Sequence, residues 1–171
     1  GPVFGASDGS DHRQRAAFPR HYGFHATLKA PFELAEGVDE THLKAALERF
    51  CEQHRPVDLP GLGVQQVQER FLALTCRRHD ALQDLAFAVV SDFESYRAPL
   101  SASDRARRKP EQLSTVERMN LDRFGYPFVG EAFAFHMTLS GSAEPSFLAF
   151  LEDLFAQTVN RPERLDYLGL F

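Results

Sequence analysis

Phe24-His25-Ala26-Thr27-Leu28 and Phe135-His136-Met137-Thr138-Leu139 are one pentapeptide pattern written twice in the same chain. Each copy is followed by a loop and then an amphipathic helical stretch. With 7 His and 6 Thr in 171 residues, a shuffled chain yields roughly 0.2 His-x-Thr pairs, and about 0.003 that also carry the Phe and Leu flanks. Two copies point to an internal duplication. On a strand, successive side chains alternate faces. His25 and Thr27 then point one way while Phe24, Ala26 and Leu28 point the other, into a core. The second copy divides likewise, with Phe135, Met137 and Leu139 opposite His136 and Thr138. Two such strands related by a pseudo-two-fold would gather two imidazoles and two hydroxyls around one cleft.

Outward from the first motif, residues 22–28 suit a strand, and residues 41–51 a helix. Asp39 or Thr41 can cap that helix, and Leu43, Ala46, Leu47 and Phe50 share one of its faces. Residues 56–63 break it, and two short extended runs follow at 64–68 and 70–76. Leu82, Leu85, Ala86, Val89 and Phe93 recur at helical spacing. Ser114 with Glu117 forms a capping box, and Gly125 is placed to close that helix. Residues 133–139 form the second motif strand. Pro145 opens a helix whose buried side carries Phe147, Leu148, Leu151, Leu154 and Phe155. Residues 164–171 read as a last strand. Strands and helices mix without βαβ alternation, so the fold class is α+β.

Length and composition set the frame. The chain amounts to one domain, or two small pseudo-symmetric lobes sharing a core. Gly1-Pro2 has the look of a cleaved-tag remnant, residues 1–15 read as a flexible lead-in, and residues 16–171 form the single two-lobed domain. With 43% hydrophobic residues, 16 of them Phe, a sizeable core is available. No apolar run approaches a bilayer span. Cys51 and Cys76 fit no metal or redox spacing; as reduced thiols they suit a cytoplasmic setting. A net charge of -5 argues against coating long nucleic acid, because counterion release rewards basic surfaces. It leaves room for a small phosphate ester in a locally positive pocket.

The His-Thr quartet suits phosphoryl chemistry. Histidine has a reference pKa of about 6.5, so one copy can be neutral and the other protonated. The neutral ring takes a proton from water or a ribose hydroxyl; the protonated ring gives one to the leaving oxygen. The threonine hydroxyls donate to non-bridging oxygens as charge builds. A lone His-x-Thr is usually a satisfied structural pair, and a metal site is the other alternative. His-x-Thr offers one good ligand per strand, however, and no third ligand has convincing spacing. No metal or other cofactor is expected.

Duplicated His-x-Thr strands resemble the signature of the two-histidine phosphoesterase superfamily, which includes RNA ligase-like cyclic phosphodiesterases. More narrowly, the run Arg20-His21-Tyr22-Gly23-Phe24-His25-Ala26-Thr27-Leu28-Lys29-Ala30-Pro31-Phe32 resembles the branch associated with bacterial phosphonate metabolism. So do Tyr96-Arg97-Ala98-Pro99-Leu100, Arg107-Arg108, Gly125-Tyr126-Pro127-Phe128-Val129 and residues 133–141. The resemblance implies a bilobal fold with two antiparallel sheets, outer helices and a central cleft. It implies His25 and His136 as the acid-base pair, with Thr27 and Thr138 on the phosphate. The implied substrate is a small phosphodiester or cyclic phosphate, such as a ribosyl cyclic phosphate. Members of this branch open with an additional hydrophobic strand that has no match here, so an open or partner-paired sheet edge is expected.

Secondary candidates surround the quartet. Lys29 should share the His25 face by alternation. Arg97, Arg107 and Arg108 match the family pattern, and guanidinium forks suit phosphate oxygens. Tyr22 and Tyr126 are candidates to stack on a base or sugar, or ordinary core aromatics. His12, His42, His54 and His79 need no function. RNA-end processing of 2′,3′-cyclic phosphates, and a binding module without turnover, are the alternatives.

Overall fold

The computed structural model describes residues 24–141, 144–158 and 162–170. Tyr22, His21 and the lead-in lie outside these residues. The chain is α+β, with five helices and two antiparallel sheets among the described residues.

Local signals start and stop the helices. Asp39 caps α1 (Glu40–Gln53), its carboxylate accepting from the His42 N–H at 2.9 Å. Helix α2 (Asp80–Asp92) buries Leu82, Leu85, Ala86, Val89 and Val90. The short α3 (Ala102–Arg107) follows. Helix α4 (Thr115–Phe124) has the capping box, with the Ser114 N–H donating to Glu117 at 2.8 Å, and ends at Gly125. There φ is +69°, which a residue with a Cβ adopts only at a steric cost. Pro145 opens α5 (Pro145–Thr158). No helix among the described residues is long and apolar enough to cross a membrane.

The three-stranded sheet runs β2 (Gly63–Val67), β3 (Phe71–Thr75), β4 (His136–Ser140), all antiparallel. Leu72 lies opposite Ser140 and Ala73 opposite Thr138, so Leu139 has no opposite number and β4 carries a bulge. The bulge turns Ser140 onto the face of Leu72 and Leu74, where it is fully buried; strict alternation would have put it beside Thr138. The second sheet is a two-residue ladder between β1 (Val57–Asp58) and β5 (Arg164–Leu165). The expected strand over 164–171 is thus confined to its first two residues. Its partner has no room to be longer: Pro56 and Pro60 flank β1 and cannot donate to a ladder.

Three apolar clusters result among the described residues, the smallest made of Val90, Phe124 and Val129. The first joins α1, α2, Phe133 and Phe135, with Ala26 and Leu28 of the first motif against it. The second joins Val64, Leu72 and Leu74 to Phe147 of α5, with Leu139 against it. Met137 packs on both. Three expectations change. Phe24 is 63% exposed and Leu154 49% exposed, so neither belongs to a core; α5 rests on one sheet face and leaves its far side to water. The second motif strand starts at His136, because a 3-10 turn at Gly130–Ala132 occupies the chain just ahead of Phe133.

The β2–β3 hairpin turns through Gln68 and Glu69, at φ 52° and 54°, closed by the Arg70 N–H on the Val67 carbonyl at 3.1 Å. Two left-handed residues in succession match the geometry that Asn-Gly fills most easily. Gln68→Asn with Glu69→Gly is expected to stabilise the protein by about 1 kcal/mol and raise Tm by about 2–4 °C. A thermal melt that falls instead would refute this account of the turn.

Candidate active site

The two motifs meet side by side. Ala26 bridges Met137 in antiparallel sense on the open edge of β4, Met137 faces Leu74 on the other side, and Leu74 faces Val64. Val64, Leu74 and Met137 lie on the face packed by α5, and Ala26 packs against the first cluster. His136 and Thr138, one residue either side of Met137, therefore point to the opposite face. Ala26 is the only bridged residue of 24–28, which form no strand ladder, so within the described residues the strand expected over 22–28 is reduced to this one contact. Thr27 is exposed, and His25, His136 and Thr138 are half-buried.

His136 is held by its backbone. Its Nδ1 lies 2.9 Å from the Ala134 carbonyl. A carbonyl only accepts, so Nδ1 carries the hydrogen and Nε2 is the nitrogen left to exchange protons. The Phe71 ring packs at 5.8 Å from the imidazole. Thr75 lies opposite His136 on β3, and its hydroxyl donates to Gln65 Oε1 at 2.8 Å. Phe71, Thr75 and Gln65 are additions to the site that sequence reading missed. Alternation along residues 71–75 assigns their common face, but only the β3–β4 register makes them neighbours of His136. Among the described residues no group of three or more His, Cys, Asp or Glu side chains is placed to hold a metal ion.

Beyond Thr27 the chain bends at Leu28 and Lys29, and Lys29 turns into the protein. Its Nζ donates to Glu94 at 2.9 Å and to the Val90 carbonyl at 3.1 Å. Arg97 takes the other oxygen of Glu94, at 2.5 and 2.9 Å, and donates to the Ala98 carbonyl. Burial pulls the Lys29 ammonium below its ordinary range, with Glu94 opposing. Burial pushes the Glu94 carboxyl up, but hydrogen bonds from Arg97 and Lys29 outweigh it and hold the group below the usual carboxylate range. Lys29 and Arg97 are thus tied together through one carboxylate. Gly125 closes over this cluster: a Cβ there would meet the Arg97 guanidinium at 3.0 Å and Leu100 at 3.1 Å.

The same cluster forms one wall of a cavity of about 600 Å³, whose other walls include Arg107, Arg108 and Tyr126. Arg107 pairs with Asp104. Arg108 lies over the Tyr126 ring at 5.2 Å. Burial pushes the Tyr126 hydroxyl up, partly offset by Arg108. Tyr22, the remaining candidate, lies outside the described residues.

Comparison with known proteins adds two findings. A family model described as "Protein of unknown function (DUF1045)" matches residues 27–171. Two curated proteins, both named ribose 1,5-bisphosphate phosphokinase PhnN, are similar. The protein of Janthinobacterium sp. (strain Marseille) is 40% identical over 122 residues, covering 71% of this chain and 27% of the relative. That of Laribacter hongkongensis (strain HLHK9) is 30% identical over 162 residues, covering 92% of this chain and 37% of the relative. The chain thus spans about a third of the length of these relatives. No solved structure matches it.

Proposed function

This chain belongs to the DUF1045 family, and on that premise we propose that it is a two-histidine phosphodiesterase that opens a ribosyl cyclic phosphate in phosphonate metabolism. One observation carries the reading: two His-x-Thr segments meet through the Ala26–Met137 bridge, at the middle residue of each motif. A structural His-x-Thr pair has no reason to be duplicated and then paired with its own copy.

The chemistry follows from the quartet. The neutral imidazole takes a proton from water, whose oxygen attacks phosphorus. The bond from phosphorus to the leaving ribose oxygen breaks, and the protonated imidazole gives that oxygen its proton. Thr27 and Thr138 donate to the non-bridging oxygens, which gain charge in the transition state. The ring left neutral and the ring left protonated have exchanged states, and solvent restores them. Both proton transfers are supplied without a metal.

The relatives are named for a kinase acting on ribose 1,5-bisphosphate. We assign that step to the part of them outside the match. None of the three lysines of this chain, Lys29, Lys44 and Lys109, follows a glycine, so the Gly-Lys pair of a phosphate-cradling P-loop is not in it. The two steps are chemically consecutive. Opening a ribose 1,2-cyclic phosphate at O2 leaves phosphate on O1, the position that the named kinase substrate carries.

The test is a panel of ribose cyclic phosphates, cyclic nucleotides and short RNAs ending in 2′,3′-cyclic phosphate, assayed across pH with chelator present. We expect turnover of a ribose cyclic phosphate with a bell-shaped pH–rate profile. Turnover of the RNA ends alone moves the assignment to RNA processing. No turnover of any diester ends the reading.

A further inference from the structure

We infer that a neutral slot beside His136, formed by Thr75, Gln65 and Gly63, receives a free ring hydroxyl of the substrate sugar. The hydroxyl is the one next to the cyclic phosphate. This rests on the phosphodiesterase reading for the place of the phosphate.

Strand β4 has a neighbour on each edge. On one side the first motif meets it through Ala26; on the other, Thr75 lies directly opposite His136 on β3. Opposed residues of antiparallel strands put their side chains on one face, roughly 5 Å apart at Cβ, so the Thr75 hydroxyl flanks the imidazole. Across β2, Gly63 lies opposite Thr75 and Gln65 opposite Ala73. Gln65 therefore approaches Thr75 on the diagonal, and the Thr75 hydroxyl donates to Gln65 Oε1 at 2.8 Å. Gly63 leaves the place opposite Thr75 open. A Cβ there would meet nothing nearer than the Gly61 carbonyl at 4.0 Å. Gly63 is not among the glycines with positive φ, so the backbone does not demand a glycine at this point. The room beside Thr75 is therefore a property of the site face and not of a turn.

Donors and acceptors decide what fits. The Thr75 hydrogen is committed to Gln65, so its oxygen offers only lone pairs outward. The Gln65 amide keeps N–H donors with no partner among the described residues. Turning the amide over exchanges donor and acceptor within the pair and leaves a surplus of both kinds. Outward lone pairs repel a phosphoryl oxygen, which only accepts. They attract an O–H group, which donates to Thr75 and accepts from Gln65 at once. None of the three residues is charged, so the slot suits a neutral group. The Phe71 ring, 5.8 Å from the imidazole, adds an apolar wall for the carbon face of a sugar. With phosphate at His136 Nε2, the hydroxyl on the adjoining ring carbon is the group that reaches toward β3.

The test compares ribose 1,2-cyclic phosphate with its 3-deoxy analogue on the full chain. The parent is expected to have a KM about 3- to 10-fold lower, as one neutral hydrogen-bonded group contributes, at nearly equal kcat. Gln65→Ala, Thr75→Val and Gly63→Val should each bring that KM ratio toward one, and Thr75→Ser should keep it. Both limbs of the pH profile should persist in every variant. A pair that merely props His136 would instead lower kcat on both substrates alike and leave the KM ratio unchanged, which overturns the inference. If neither diester is turned over, the same two ligands are titrated by NMR. A Kd ratio that depends on Gln65 and Thr75 then supports the slot while the phosphodiesterase reading fails separately. Equal Kd values, a ratio indifferent to the pair, or no binding of either ligand overturns it. Thermal melts check that the variants are folded, and Gln65→Ala, at an exposed side chain, carries the test if the other strand substitutions unfold.

Discussion

His25→Ala and His136→Ala are each expected to lower kcat/KM on the cyclic substrate by about 10²- to 10⁴-fold. Each ring supplies one of the two proton transfers, so losing either leaves the other without a complementary partner. The double variant should lose little beyond the more damaging single one, because residues acting as a unit are strongly non-additive. Thr27→Ala and Thr138→Ala should cost less, about 10- to 100-fold, since each removes one hydrogen-bond donor to the oxyanion. The pH profile gives an independent reading: each histidine variant should lose one limb of the bell. Stability separates chemistry from architecture. His136 is tied to the Ala134 carbonyl, and losing one such bond costs about 1 kcal/mol. His136→Asn retains an amide N–H near the Nδ1 position and should recover much of that stability without recovering turnover. Activity in either alanine variant equal to that of the unaltered enzyme would sink the assignment.

Removing the Glu94 carboxylate should be the most damaging single change to stability outside the apolar cores. Its two partners are nearly buried, with Lys29 and Arg97 side chains 9% and 11% exposed. Glu94→Ala leaves both cations without their counter-charge, for an expected loss of about 3 kcal/mol and a fall in Tm of about 6–12 °C. Glu94→Gln keeps an acceptor for one of them and should cost about half as much. The sign of the pH dependence follows from Glu94, whose folded-state pKa lies below the ordinary value of 4.5. The pair's contribution is present above that ordinary value and is lost as pH falls through the lower, folded-state one. The stability gap between Glu94→Ala and the unaltered protein should therefore be widest near neutrality and close on acidification. A gap that is constant from pH 7 to pH 3 would show that the carboxylate's charge is not what holds this corner together.

Several features were legible in the sequence because their causes are local. Asp39, the Ser114–Glu117 box and Gly125 act within a few residues of the backbone groups they satisfy: α1 begins at Asp39, and α4 begins at Ser114 and ends at Gly125. The α2 stripe was equally readable, since a period near 3.6 residues is a property of the chain alone. The duplicated pentapeptide was legible as a repeat, and in the second copy alternation correctly set Met137 on the face opposite His136 and Thr138, whereas Phe24 of the first copy lies exposed.

Tertiary structure alone decided how those faces are used. Alternation says that His136 and Thr138 share a side; it does not say that Ala26 pairs with Met137, or that Thr75, Gln65 and Phe71 complete the surface. Lys29 follows the same alternation from His25, yet a bend and a carboxylate far along the chain draw it into the cluster with Arg97. Ser140 lies under α5 because a bulge at Leu139 shifts the register by one residue. Strand register, bulges and ion pairing are settled by whichever distant segment packs best, and that energy is absent from any short window of sequence.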